Sequence, residues 1–517
     1  MDPRNNQKKM ARKAALPLGA MAGGVGVLFA LASGACSSSG PGLTMVSGTG
    51  GDTSSGGALQ SGGATQSGGA PSATGGVTGS GGVSTAGAAG AGALDPVCWE
   101  NPLAGLLGPP LVFSPTSSTF GLSAVVGGCD PADLSLRVRA EEDDGPWIEV
   151  ASAEFPAHDI AEWKVSGLDS GSVYEYELLA DDRSVFVGRA VTQREPGESY
   201  EFALITDSHI EPRDVGPGDL SALTYAESVL LQVDANVAEQ DPDFLFNLGD
   251  MLDFHDYGFN DPPPSGEPTR LAYLNYRRLL DQSLGRMAHF PVIGNWDGEN
   301  GNYTDEQIAY SQAERLLYLP APEPDTYPQG GNDAEDYYAF TWGDALYVVL
   351  NVMTYTPTAH LLSTYPGVAD DWTLGQEQLS WLETTLSEAT SKWRFLLIHH
   401  TVGGAAADEI NAAYGRGGGL AAMVGEQALV HQMMLDHGVQ IFFYGHDHVF
   451  TDIIVDDIHY ALPGSAGAPW KFEGDETGYS TYWTDSGHGL VSVSPESVDV
   501  DFVNVEGEVL HSFSVTE

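Results

Sequence analysis

Five apolar runs in this sequence end in residues able to bind a metal ion. Phe202-Ala-Leu-Ile-Thr leads into Asp207-Ser-His209, and Asp243-Phe-Leu-Phe-Asn-Leu leads into Gly249-Asp250. Phe290-Pro-Val-Ile leads into Gly294-Asn295-Trp296-Asp297, Arg394-Phe-Leu-Leu-Ile into His399-His400, and Gln440-Ile-Phe-Phe-Tyr into Gly445-His446-Asp447-His448. Each reads as a buried strand that gives way to a loop at its polar residues. In layered α/β folds, ligands gather at such strand ends. Asp207 and His209 stand two apart, as do His446 and His448, so an extended backbone sends each pair to one side. A carboxylate such as Asp250 can bridge two cations ~3.5–4 Å apart. Asn295 adds a neutral carbonyl oxygen and His399 a further imidazole. Mixed nitrogen and oxygen donors suit Zn, Mn or Fe better than Ca or Mg. Two dications held by two carboxylates leave a positive centre that draws an anionic phosphate.

The rest of the chain is strongly acidic. It has 517 residues, 21 Lys+Arg against 71 Asp+Glu, and a formal net charge of -50. Such a surface argues against a nucleic-acid partner gripped through its phosphates and against docking on anionic lipid through a basic patch. With 42% hydrophobic and 10% aromatic residues, the chain is rich enough for ordered cores.

Four segments follow from composition. Residues 1–35 read as an export signal: Arg4, Lys8, Lys9, Arg12 and Lys13 precede an apolar stretch from Ala14 to Ala35. Ser33-Gly34-Ala35-Cys36 is similar to the bacterial lipoprotein cleavage box, although Leu31 lies five positions before the Cys rather than three. An uncleaved anchor and an ordinary secretory signal are the alternatives. All three place the protein outside the cytoplasm, in the cell envelope as an outer-membrane lipoprotein held by a lipidated Cys36, or secreted. Residues 36–95 are almost wholly Gly, Ser, Ala and Thr and read as a flexible tether. Cys98 and Cys129 are an even pair for an oxidising space and are expected to form a disulfide; two buried thiols are the alternative. Residues 96–195 alternate in short strands, such as Leu134-Ser-Leu-Arg-Val-Arg and Val173-Tyr-Glu-Tyr-Glu-Leu, and suit a small all-β sandwich. Residues 196–517 alternate strands with helical stretches. Among these, Leu379, Leu382 and Leu386 share a helix face. Tyr337 to Asn351 reads as a hairpin across Gly343-Asp344, and Leu490 to Val503 as an antiparallel pair closing a second sheet. Pro262-Pro-Pro and Tyr303 to Gln329 read as long polar insertions rimming the cleft.

Asp-x-His, Gly-Asp, Gly-Asn-x-Asp, a His after a strand and Gly-His-x-His, in that order from Asp207 to His448, resemble the calcineurin-like metallophosphoesterase superfamily. The Val165-to-Tyr176 segment resembles a fibronectin type III strand entry, and a domain of that kind ahead of the motifs resembles the purple-acid-phosphatase branch. The resemblance implies a four-layer α/β/β/α sandwich, hydrolysis of phosphate esters, a small phosphorylated substrate, and two divalent or trivalent metal ions (Zn, Mn or Fe). One ion would be held by Asp207, His209, Asp250 and His448. The other would be held by Asp250, Asn295, His399 and His446. His399 is preferred to His400 because the family's ligand directly follows its strand. A metal-bridging hydroxide would attack phosphorus in line.

The chain departs from the family at two positions. Trp296 stands where the family has a His that can protonate the leaving group, and an indole is not a usable acid. Its loss matters for alkoxides and little for phenolates or anhydrides. His255 or His400 could take the role; a loop His and a His backing the ligands are the plainer readings. Asp253 stands where purple acid phosphatases carry the Tyr that binds ferric iron, so the purple colour is expected to be absent. Arg416, in Tyr414-Gly-Arg-Gly-Gly-Gly, is a candidate for the substrate phosphate, or else pairs with an acidic neighbour. Lys471 could reach the site mouth. The competing functions are a non-catalytic surface binding protein that keeps its metals for stability, and a phosphodiesterase on nucleotides or phospholipid head groups.

Overall fold

The computed structural model describes residues 105–141, 145–213, 222–254, 266–300, 303–355, 372–403, 425–471 and 479–516. The chain divides into Met1–Thr85 and Ala86–Glu517, and every described residue lies in the second unit. The export signal, the tether, Cys36, Cys98, His255 and Arg416 fall outside the described residues.

The first eight strands are β1 (Leu111–Phe113), β2 (Thr119–Val125), β3 (Leu134–Ala140), β4 (Ile148–Glu149), β5 (Glu154–Ala157), β6 (Ile160–Ser166), β7 (Val173–Ala180) and β8 (Arg183–Val191). They pair as β1-β2-β6-β5 and β4-β3-β7-β8. Burial alternates along β3, where Leu134, Leu136 and Val138 point inward, as expected of a sandwich strand with one wet face.

Next come β9 (Tyr200–Ile205), α1 (Tyr225–Gln240), β10 (Phe244–Asn247), α2 (Glu267–Leu279), β11 (Ala288–Pro291) and α3 (Asp305–Tyr318). They are followed by β12 (Tyr338–Trp342), β13 (Ala345–Val349), α4 (Gly375–Glu388), β14 (Trp393–Leu397), α5 (Gly425–Asp436), β15 (Ile441–Phe443), β16 (Phe450–Val455) and β17 (Ile458–Pro463). The last strands are β18 (Gly487–Val493), β19 (Ser497–Asn504) and β20 (Val509–Thr516).

Two large sheets result. One runs β20-β19-β18-β9-β10-β11-β1-β2-β6-β5, and the other β12-β13-β14-β15-β17-β16. They face each other through aromatic rings: Phe202 and Tyr347 meet edge-on at 5.2 Å, and Phe290 and Phe340 stack at 4.4 Å. On the outer face of the second sheet, Val348, Leu396 and Phe442 join Leu382 and Leu386 of α4 and Val430 and Met434 of α5 in one core. On the outer face of the first, Ala203, Ile205 and Leu245 join Leu230 and Val233 of α1 and Tyr273 and Tyr276 of α2. Helix, sheet, sheet and helix make the four-layer α/β/β/α sandwich.

Three details differ from the sequence reading. The first concerns the sheet at the boundary near residue 195, which does not break there: Val112 of β1 pairs in parallel with Ala288 of β11, so half of the small sandwich extends the large sheet. A terminal strand can add to an open sheet edge without any local signal, because its backbone hydrogen bonds carry no side-chain code. The second is that β18 and β19 close the first sheet, with Val491 opposite Phe202, rather than the second. The third is α3, which occupies the stretch read as polar insertion. Its start is a capping box in which Thr304 and Gln307 satisfy each other's backbone N–H groups.

Candidate metal centre

Parallel strands β9, β10 and β11 of one sheet, and β14 and β15 of the other, all release their chains at one end of the sandwich. The seven expected ligands converge there, each less than a tenth exposed. Ligand atoms of Asp207, His209, Asp250 and His448 lie within 4.8 Å of one another, and so do those of Asp250, His399 and His446. Asn295 joins the second group: its Oδ1 is 3.2 Å from His399 Nε2 and 2.9 Å from His446 Nδ1. Asp250 belongs to both groups.

The local reason for convergence is not the one expected. Asp207, His209, Asp250, His446 and His448 have φ of 54°, 50°, 51°, 78° and 57°, so these loops are left-handed rather than extended. Each such residue costs about 1–3 kcal/mol and persists only where its surroundings fix it. Here they do. Asp207 N–H donates to Gly249 O at 2.9 Å, His209 N–H to Asp250 O at 3.0 Å, and His446 N–H to Asp207 Oδ2 at 3.1 Å. Asp297 accepts from the backbone N–H of Asp250 (3.0 Å), Leu252 (3.0 Å) and Gly294 (2.8 Å), and so buckles two ligand loops together. The approach is close enough to require glycine at 294, where a Cβ would stand 2.1 Å from Asp250 N.

The imidazoles are oriented from behind. His399 Nδ1 lies 2.8 Å from Leu248 O, and His448 Nδ1 lies 2.9 Å from Trp470 O. A carbonyl can only accept, so each Nδ1 carries a proton and each Nε2 is the nitrogen turned to the centre. His448 Nε2 is 3.1 Å from Asp207 Oδ1 and 3.2 Å from His209 Nε2. Two nitrogens bound at ~2.0–2.1 Å to one tetrahedral ion stand about 3.3 Å apart. Asp250 Oδ2 is buried between two imidazoles, with His399 Nε2 at 3.1 Å and His209 Nε2 at 3.7 Å. A buried carboxylate oxygen facing imidazole nitrogens from both ligand groups fits a cation.

Charge in the cluster follows from burial and neighbours. Burial alone would raise the Asp207 carboxyl, but His448, His399 and His209 outweigh it and hold it well below the usual carboxylate range. Burial pushes His209 down to about 3. Burial would also lower His399, but with no ion bound the Asp250 charge and its hydrogen bond, then Asp207, outweigh it and raise His399 to about 9, so its Nε2 carries a proton that a metal ion would displace. Burial, then the Asp250 charge, raises Asp297 to about 7.

Other expected residues fall as follows. His400 is buried, stacks on Trp372 at 3.8 Å and 18°, and lies 4.2 Å from the His446 ring. Asp253 is buried but belongs to neither ligand group. Asn351 Nδ2 donates to Asp336 Oδ2 at 3.1 Å. Lys471 is half-buried with Nζ donating to Ser486 Oγ at 3.1 Å, and burial pushes its ammonium down to about 8. Two contributors escaped the sequence reading. Asn247 Oδ1 accepts the Gly249 N–H at 3.0 Å and its Nδ2 donates to Tyr276 Oη at 2.8 Å. A polar residue inside the apolar Phe244-to-Leu248 run was the available signal. Trp470, besides its carbonyl, places its ring 4.8 Å from that of His209.

A layered α/β fold with buried carboxylate, imidazole and amide donors at its strand ends, suited to divalent metal ions, defines a metal-dependent phosphoesterase. Residues 200–450 match the sequence model of the family described as Calcineurin-like phosphoesterase. The structure is similar to that of PhoD, with a TM-score of 0.59 and 15% identity over 79% of this chain and 90% of that one. It is also similar to purple acid phosphatase PPD1 from yellow lupin (Lupinus luteus) seeds, with a TM-score of 0.53 and 14% identity over 79% of this chain and 74% of that one. No curated protein matches the chain in sequence. Residues 200–450 form a calcineurin-like phosphoesterase domain, and the fold, a β-sandwich ahead of the metallophosphoesterase layers, is similar to that of PhoD and of the purple acid phosphatase.

Proposed function

We propose that the protein is an exported phosphoesterase with a pair of metal ions, and that it favours esters with good leaving groups. One observation carries the binuclear reading: Asp250 is common to both ligand groups, with its Oδ2 buried between His209 and His399. Asp207, His209, Asp250 and His448 would hold one ion, and Asp250, Asn295, His399 and His446 the other. Their mixed donors suit Zn, Mn or Fe. When bound, such ions supply Lewis acidity and a water acidic enough to act as nucleophile near neutral pH.

The chain's own part is positional. Leu248 O and Trp470 O fix two imidazole tautomers, and Asp297 clamps the Asp250 loop to the Asn295 loop. Burial excludes bulk water from the ligands. Trp296 cannot give a proton to a departing oxygen, so the leaving group must depart as a stabilised anion. His255, Arg416 and His400 remain proposals for proton transfer and phosphate contact; of these, His400 beside His446 is supported by proximity.

Export is supported by the basic and apolar segments ahead of Cys36, and lipid attachment by the small residues before it. The Gly/Ser-rich tether would then hold the enzyme off the membrane. A Cys98–Cys129 disulfide is supported by the oxidising compartment and by the burial of Cys129.

The test is a panel of p-nitrophenyl phosphate, its bis-ester and an alkyl monoester, assayed with Mn or Zn. Turnover of the aryl monoester well above the alkyl one supports the reading. Preference for the bis-ester would replace it with a phosphodiesterase. No turnover with full metal content would favour a binding protein, for which Trp296 is the direct support.

A further inference from the structure

The ligands are buried, but two tryptophans beside them are only half so. Trp296 comes from the loop after β11 of the first sheet, and Trp470 from the loop after β17 of the second. Their rings meet at 5.3 Å and 39°, and each lies 4.8 Å from the His209 ring. Trp470 also lies 5.2 Å from His448. Both backbones are pinned to ligands: Trp296 N–H donates to Asp250 Oδ1 at 2.8 Å, and Trp470 O accepts from His448 at 2.9 Å. The two indoles are therefore held in fixed relation to the ions those ligands would bind, on the His209 side of the centre.

We propose that Trp296 and Trp470 form an aromatic wall that selects phosphate esters with a planar, apolar leaving group. This rests on the phosphoesterase reading above and names its substrate class. A phosphate held at the ligands must direct its ester group outward past what borders them. Among the described residues, indole borders the centre on this side. An indole rewards a planar ring by stacked or edge contact, gives an alkyl chain burial only, and offers no positive charge to a second phosphate. The wall and the missing acid at position 296 point to one class: aryl and heteroaryl esters stack on the tryptophans and leave without a proton.

The experiment separates recognition from leaving-group chemistry. Phenyl phosphate is compared with hexafluoroisopropyl phosphate, whose alcohol is of similar acidity but has no ring. Phenylphosphonate and methylphosphonate are compared as non-hydrolysable ligands by calorimetry. Wild type, Trp296→Leu and Trp470→Leu are measured as full chains with Mn, and their metal content is determined. Wild type is expected to prefer the phenyl ester by about five-fold in kcat/KM, through KM, with a similar ratio for the phosphonates. Both variants are expected to bring those ratios toward one with metal retained. A wild-type ratio of one or less, or ratios unchanged in both variants, overturns the wall. Tighter phenylphosphonate binding that depends on the tryptophans, without turnover of either ester, upholds the wall and overturns the phosphoesterase reading instead. The wild-type phosphonate comparison decides the matter even where a variant fails to fold.

Discussion

The carbonyl oxygen of Leu248 accepts a hydrogen bond from Nδ1 of His399 at 2.8 Å. Leu248 precedes Gly249-Asp250, so the backbone of one ligand loop aims the imidazole of another, 151 residues away. His399 Nε2 is thereby directed at Asp250 Oδ2 and Asn295 Oδ1. The same reciprocity joins His448 to Trp470 and Asp250 to Asp297, so the centre is held by its neighbours' loops as much as by its own residues.

Asn247 reaches the centre through Gly249. Asn247→Leu removes both the acceptor for the Gly249 N–H and the donor to Tyr276 Oη. Metal affinity is expected to fall about 10–100-fold, while far-UV circular dichroism is kept. Titration of the apoprotein with Mn checks this; unchanged affinity would mean that the turn holds itself.

Gly294→Ala places a methyl 2.1 Å from Asp250 N. Backbone must shift where neither loop has slack. A loss of about 1–3 kcal/mol is expected, together with loss of bound metal. Thermal melting and elemental analysis report the two effects separately.

Trp296→His restores a side chain able to protonate a leaving oxygen. Activity on an alkyl monoester is expected to rise by at least about ten-fold, and on p-nitrophenyl phosphate to change little or to fall. An equal change on both substrates would refute the leaving-group argument.

Asp234, on α1, accepts the Gln282 N–H at 2.9 Å, and burial raises its carboxyl to about 7. The folded state therefore holds this proton more tightly than the unfolded chain. The contribution is fully present below about pH 4 and is lost as pH rises through about 7. Asp234→Asn does not titrate, so its melting temperature should gain on wild type steadily from pH 4 to 8. A constant difference across that range would contradict the assignment.

Most of the site was legible in the sequence because its donors sit at strand ends, and apolar runs betray strands. The four-layer class followed from the family resemblance. What escaped was whatever lacks periodicity. The left-handed backbone at Asp207 and His448 leaves no mark in side-chain alternation. The parallel pairing of β1 with β11 uses backbone groups alone. Trp470 holds His448 through a carbonyl that any residue possesses, so only its ring could have drawn notice. By contrast, the Thr304/Gln307 capping box was visible and was passed over because the surrounding stretch is polar. Asn247 was similarly hidden in plain view inside an apolar strand.

The central claim is that one carboxylate serves two cations. Elemental analysis of full-length wild type and Asp250→Asn, each saturated with Mn and freed of excess, tests it most directly. The account predicts about two ions per chain in wild type and one or fewer in the variant, with the other six donors unaltered. An Asp250→Asn protein that still carries the wild-type complement would contradict it.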